Sequence, residues 1–282
     1  MTADVQTPAA AQTPDGRVSK LSLRGVGKGY LQASGSRIEA IRDIALDISA
    51  GEFVCIIGPS GCGKSTLLNL IAGLEKPDSG KILMDGRVIQ GPAPERTMLF
   101  QEPALFPWMS IAENVEYPLR LKGMEADMRK VWAAEWLVKV QLGKFADAQP
   151  HELSPGMRHR AALARGLACQ PEVLLADEPF GTLDAQTREI LQIELQRVWS
   201  DAGNTVVFVT HNVREAVFLA DRVLLMSTRP GYFAAEHLIS VPRPRDFDDV
   251  LLNKVVSDIH EHLLREVRKV VETEVGGKPD LA

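Results

Sequence analysis

The sequence predicts an α/β fold with a mainly parallel sheet and a helical insertion. Three observations carry that prediction. Short apolar runs of strand length recur at residues 52–57, 173–176, 206–209 and 222–226. Between the later runs, Leu191, Leu195 and Val198 repeat at the spacing of one helix face. From about residue 103 to 168 the strand signals stop and helical spacing takes over, as in Trp132, Trp136, Leu137 and Val140.

Each element follows from its residues. The first residues are rich in Ala, Thr, Gln and Pro, with neither a basic segment nor an apolar core, so 1–18 is expected to be a disordered tail and not a secretory signal. Residues 21–30 alternate loosely and predict a strand, as do 45–48. Residues 52–57 form an apolar run fit for burial on both faces. Residues 66–72 predict a buried helix ending near Gly73. Residues 81–84 and 87–89 flank Asp85-Gly86, the dipeptide of a type I′ hairpin, in which both turn residues need positive φ. After the helical stretch come the strands 173–176, 206–209 and 222–226. In 246–274, Leu252, Val256, Ile259, Leu263, Val267 and Val270 recur every three or four residues, predicting an amphipathic helix interrupted somewhere. His260 and His262 point in different directions on that helix, and are expected to be solvated.

Composition sets the limits. A chain of 282 residues, 45% hydrophobic and 24% charged, has room for one large domain or two small ones, and excludes collagen-like, disulfide-rich and fully disordered classes. A net charge of −5 argues against a chain-wide nucleic-acid footprint, though a local basic patch stays open. Three cysteines are too few for a disulfide framework and suit a reducing compartment. No apolar run nears the roughly 18 residues a bilayer demands, so the chain is expected to be cytoplasmic and any membrane role to need a partner.

The chemistry begins at Gly58-Pro59-Ser60-Gly61-Cys62-Gly63-Lys64-Ser65, a full match to G-x-x-x-x-G-K-[ST] between a strand and a helix. Such a loop converges backbone N–H groups on phosphate oxygens, and the helix N-terminus adds its positive end. Lys64 would pair with the β- and γ-phosphates and Ser65 would ligate Mg²⁺. Asp177-Glu178 closes the strand at 173–176, where one carboxylate can hold Mg²⁺ and the other can polarise water. His211 follows the strand 206–209 and can bond a γ-phosphate. Ser154-Pro155 reads as a helix start, with serine as N-cap and proline at the first helical position.

In this order the motifs resemble the ATP-binding subunit of ABC transporters. Leu153-Ser154-Pro155-Gly156-Met157-Arg158 is similar to the signature LSGGQ-R, Gln101 to the Q-loop glutamine, and Gly181-Thr182-Leu183-Asp184 to the D-loop. His211 stands where the family has its switch histidine, and Tyr30 where an aromatic residue stacks on adenine. The resemblance implies a P-loop NTPase core with a mainly parallel sheet, an antiparallel β subdomain and a helical insertion at about 103–168. It divides the chain into the tail 1–18, an ABC ATPase domain at 19–240 and a helical extension at 241–282. By the same resemblance, Tyr30 and Gly58 to Thr66 bind ATP. Ser65, Gln101 and Asp177 hold Mg²⁺, and Glu178, His211 and Gln101 are catalytic. Ser154, Pro155, Gly156 and Met157 complete the nucleotide site of a second ATPase subunit, either a second copy of this chain or a paralogous partner, and Asp184 is the D-loop aspartate.

Finer features look like the nitrate/sulfonate/taurine importer branch: the segment around Gly51-Glu52-Phe53-Val54, Leu105-Phe106-Pro107-Trp108-Met109, Met157 in place of the signature glutamine, and Val241-Pro242-Arg243-Pro244-Arg245. That branch implies two membrane permease subunits, indirectly a solute-binding protein, and a place on the cytoplasmic face of the membrane. Phe106, Pro107 and Trp108 are candidates for the membrane-subunit dock, with ordinary core as the competing role for Trp108. The C-terminal helix is expected to pack on the domain. Pro155 departs from the signature's first glycine; its fixed φ suits a helix start, so the site is expected to work. An ABC export ATPase, a soluble ABC ATPase of DNA repair or translation and a P-loop kinase are the rival functions.

Overall fold

The computed structural model describes residues 19–32, 35–181, 183–228 and 230–275, without the side chains of 201–202 and 269–275. The expected tail 1–18 and Thr182 of the D-loop motif lie outside the described residues. The chain divides into two units, one from Met1–Gly91 and Val209–Ala282, the other Pro92–Phe208.

The first unit opens with β1 (Ser19–Leu31), β2 (Arg37–Ser49), β3 (Phe53–Ile57), α1 (Lys64–Ala72), β4 (Ser79–Met84) and β5 (Arg87–Val88). β2-β1-β4-β5 form an antiparallel sheet. Its hairpin turns at Asp85 and Gly86 with φ of 50° and 74°, the positive values a type I′ turn requires. β2 is three times the predicted length, because its outer half alternates with exposed polar residues and gives no apolar run. All five residues of β3 are buried, as its unbroken apolar sequence demands. Gly73 ends α1 with φ of 78°, its N–H reaching back to Asn69 and Leu70 carbonyls.

The second unit holds β6 (Arg96–Leu99), α2 (Ile111–Leu121), α3 (Ala126–Lys139), α4 (Pro155–Ala168), β7 (Val173–Asp177), α5 (Ala185–Ala202) and β8 (Thr205–Val209). Its strands run in the order β8-β7-β6, with β6 parallel to β7. β6 is too short, and too polar at Arg96 and Thr97, to stand out in the sequence. Helices α2, α3 and α4 pack together around Leu119, Trp136, Leu137 and Leu163. Ser110 and Glu113 make a reciprocal capping box at the start of α2.

The chain then returns to the first unit with α6 (Val213–Leu219), β9 (Arg222–Ser227), β10 (Tyr232–Leu238) and α7 (Val250–Val275). β9 is parallel to β3 and antiparallel to β10. α7 is continuous over 26 residues, which corrects the expected interruption. It contains neither Gly nor Pro, and Asp249 Oδ1 caps its start by accepting from Leu251 N (2.7 Å) and Leu252 N (3.2 Å). His260 is exposed as expected, while His262 is only partly exposed and its Nδ1 lies 3.1 Å from Nε2 of His237 on β10. Burial and the facing His262 ring hold His237 below the ordinary histidine range. Among the described residues no helix is long and apolar enough to cross a membrane.

Candidate functional site

β3 delivers the chain into the loop Gly58–Gly63, and α1 starts at Lys64. Gly63 has φ of 96°, and a Cβ there would lie 2.5 Å from Ile41 Cγ2, so glycine alone fits. At Gly61 a Cβ would meet nothing within 4 Å, which leaves that side of the loop open to a ligand. Lys64 is only 7% exposed. Its ammonium donates to the carbonyls of Gly58 (2.9 Å) and Pro59 (3.0 Å), inside the ring of the loop. The backbone N–H groups of the loop and of the first turn of α1 suit phosphate oxygens. Cys62 is buried beneath the loop, and burial pushes its thiol up, away from the reactive thiolate.

The structure brings Tyr30 to this loop. Its hydroxyl donates to Glu75 Oε2 (2.8 Å) and lies 3.4 Å from Thr66 Oγ1. The ring is 40% exposed, so an aromatic face anchored at its edge is available for stacking. Burial raises the Tyr30 phenol, with Glu75 and Asp78 acting in the same direction, and it stays a donor. His211 stands one residue past Thr210, whose N–H donates to Ile56 O of β3 at 3.2 Å. The switch-histidine turn thus hangs from the strand that carries the phosphate loop.

A second group of predicted residues gathers in the other unit. β7 ends at Asp177, and Glu178 turns the chain with φ of 44°, a conformation that costs a non-glycine residue energy and recurs at functional sites. A Cβ on Gly181 would lie 3.5 Å from both Gln101 Nε2 and Glu178 Oε2, so the glutamine and the carboxylate converge there. Ser154 caps α4, its Oγ accepting from Met157 N at 3.3 Å, with Pro155 at the first helical position. Gly156 packs against α5: a Cβ would lie 2.5 Å from Thr187 Cγ2. Asp184 caps α5, accepting from Thr187 N at 2.9 Å, which holds its carboxyl below the ordinary range.

Two residues escaped the sequence reading. His159 is buried, with ring nitrogens 2.9 Å from Pro155 O and 3.2 Å from Gln101 O, and so ties the signature helix to the Q-loop. Asn114 is fully buried and makes four hydrogen bonds to the backbone of Phe106, Met109 and Ser110. It fixes the loop that presents Trp108, which is 73% exposed and therefore not core. A groove of about 600 Å³ beside it is lined by Met98, Phe100, Phe106, Tyr117, Pro118 and Leu121. Only spatial neighbours mark Asn114 and His159, so no local motif could have found them.

Comparisons with known proteins show the family. The family model described as ABC transporter matches residues 41–181. The chain is 46% identical over 222 residues to the nitrate import ATP-binding protein NrtD of Synechocystis sp., covering 79% of this chain and 83% of that one. It is 38% identical over 265 residues to the taurine import ATP-binding protein TauB of Roseobacter denitrificans, covering 93% and 99%. Among solved structures it resembles the ATP-binding cassette MJ0796, a dimer bound to ADP and Pi, with TM-score 0.69 and 34% identity over 79% of this chain and 100% of that one. The fold is the α/β fold of these cassettes, and the chain belongs to the ABC transporter family.

Proposed function

We propose that the chain is the ATP-hydrolysing subunit of an ABC importer for a small anion or organic solute of the nitrate, sulfonate or taurine kind. The observation that carries this is the phosphate loop, with Lys64 held inside a glycine turn at the start of α1. Tyr30 stacks on the adenine, Gly58 to Thr66 wrap the phosphates, and His211 bonds the γ-phosphate. Glu178 takes the proton of the attacking water, and Gln101 senses the γ-phosphate and links the catalytic core to the helical insertion. Ser65, Gln101 and Asp177 would hold Mg²⁺, which would supply charge neutralisation to the phosphates. Among the described residues no cluster of three or more His, Cys, Asp or Glu could hold a metal.

The reading includes a division at 19–240 for the ATPase domain, with the helical insertion at about 103–168 and the extension at 241–282. The chain carries one phosphate loop and one signature. Two copies, each offering Ser154, Pro155, Gly156 and Met157 to the other's nucleotide, complete two sites, with Asp184 as the D-loop residue of each. Pro155 leaves the N-cap and Gly156 in place, so the signature stays competent. The groove beside Trp108 receives a cytoplasmic helix of a permease subunit, and holds the ATPase peripherally at the membrane. A solute-binding protein delivers the solute to the outer face.

The test is Mg²⁺-ATP hydrolysis by the full chain with Lys64→Ala beside it. Phosphate release by the wild type, and ATP affinity at least about tenfold weaker in Lys64→Ala by calorimetry, are expected. Equal ATP binding by the two proteins contradicts the reading.

A further inference from the structure

The C-terminal helix packs on the domain, and the segment leading into it makes a further set of contacts with one short helix. α6 begins immediately after His211. Asn212 caps it, accepting from Glu215 N at 3.2 Å, and Asn212 N donates to Thr210 Oγ1 at 3.0 Å. Thr210 Oγ1 in turn donates to the Glu215 carboxylate. His211 is therefore fixed between two residues that are both tied to the first turn of α6. Where α6 sits decides where the His211 backbone sits.

The other end of α6 is held by the extension. The last carbonyls of a helix lack partners within it and carry its partial negative charge. Here two guanidinium groups take four of them. Arg245 Nη1 donates to Val217 O (2.9 Å), Phe218 O (3.1 Å) and Ala220 O (2.6 Å), and Arg243 Nη2 to Leu219 O (2.5 Å). Arg245 is buried, and its remaining donors reach Val241 O (2.9 Å) at the start of the extension and Ile239 O (3.4 Å) just before it. Phe247 stacks on Phe218 with centroids 3.8 Å apart and planes at 9°. Arg214, in the first turn of α6, donates to Phe247 O at 2.9 Å and lies over its ring. The extension thus grips α6 at both ends, and α7 packs against it as well. A segment serving only as outer cover would need one apolar contact; this one supplies a planar fork matched to carbonyls.

We infer that Arg245 and Phe247 are positioning residues for ATP hydrolysis, setting through α6 the place of the turn that carries His211. The inference rests on the reading of His211 as the γ-phosphate partner. Seven residues of helix, about 10 Å long, separate the clamp from that turn, short enough to move as one body.

The test compares full-length wild type, Arg245→Met, Arg245→Lys, Phe247→Leu and His211→Ala, reading kcat and KM for ATP per ATP-binding site. Amide hydrogen exchange of α6 and α1 is read alongside. Arg245→Met is expected to lose about tenfold in kcat with KM within about twofold, and to speed exchange across 210–219 while α1 stays protected. Arg245→Lys should recover part of kcat, since an ammonium reaches one or two carbonyls but lacks the fork. Phe247→Leu should move the same way by less, and it decides the matter if Arg245→Met does not fold. Folded variants with kcat within about twofold of wild type overturn the inference, as does a loss in which α1 exchanges as fast as α6. A full-rate His211→Ala enzyme overturns the reading of the site instead; impaired His211→Ala beside full-rate clamp variants overturns this inference alone.

Discussion

Single residues show where local chemistry sufficed and where it did not. Pro155 was legible as a helix start because its φ and missing N–H are properties of the residue itself. His262 was not, because its partner His237 lies on another element, 25 residues away. Glu194 is another position the sequence alone could not place. It is 5% exposed on α5, and neither carboxylate oxygen has a hydrogen-bond partner. Burial pushes its carboxyl up, against the opposing pull of Arg160 and Arg197. The sign follows directly: a raised acid binds its proton more tightly when folded. Its contribution is therefore favourable below the ordinary glutamate range and is lost as pH rises through the raised value. Glu194→Met should stabilise the chain by about 1 kcal/mol at pH 7, with a smaller gain at pH 4, measured by denaturant midpoints. An unchanged or lower midpoint at pH 7 contradicts this account of the site.

Among elements, the legible ones advertised themselves in their own residues. β3 is an unbroken apolar run, Asp85-Gly86 dictates its turn, and Gly73 ends α1. β6 and β10 were hidden for different reasons. β6 is four residues long, and β10 lies at a sheet edge with Glu236 and His237 among its residues. The expected break in α7 is absent because its apolar residues recur regularly every three or four positions and the helix lacks Gly and Pro. The Trp108 loop is ordered by Asn114 rather than by any regular element. Asn114→Ala leaves several buried backbone groups without partners, at a cost of about 2 kcal/mol. It should also make residues 105–109 more susceptible to limited proteolysis. Equal denaturant midpoints for variant and wild type would refute the clamp.

For the whole molecule, the motif order carried more than the composition did. Net charge and length only bounded the class. The loop Gly58–Ser65, Gln101, the signature at Ser154, Asp177-Glu178 and His211 together pointed to the family, which the comparisons establish. The solute was not legible in this chain's residues; on the proposed reading, other subunits of the transporter select it. Docking can be tested from this side: Trp108→Ala should leave ATP binding intact and weaken co-purification of the permease subunits severalfold. Co-purification at the wild-type level would remove Trp108 from the dock.

The central claim is that two copies trap ATP between them and that Glu178 releases it by hydrolysis. It is tested most directly by the molar mass of the full-length Glu178→Gln chain in Mg²⁺-ATP, by light scattering, with bound nucleotide and phosphate release measured on the same sample. The account predicts a two-chain particle holding two ATP, with turnover reduced at least about a hundredfold. A single chain with ATP bound, or turnover at the wild-type rate, would contradict it.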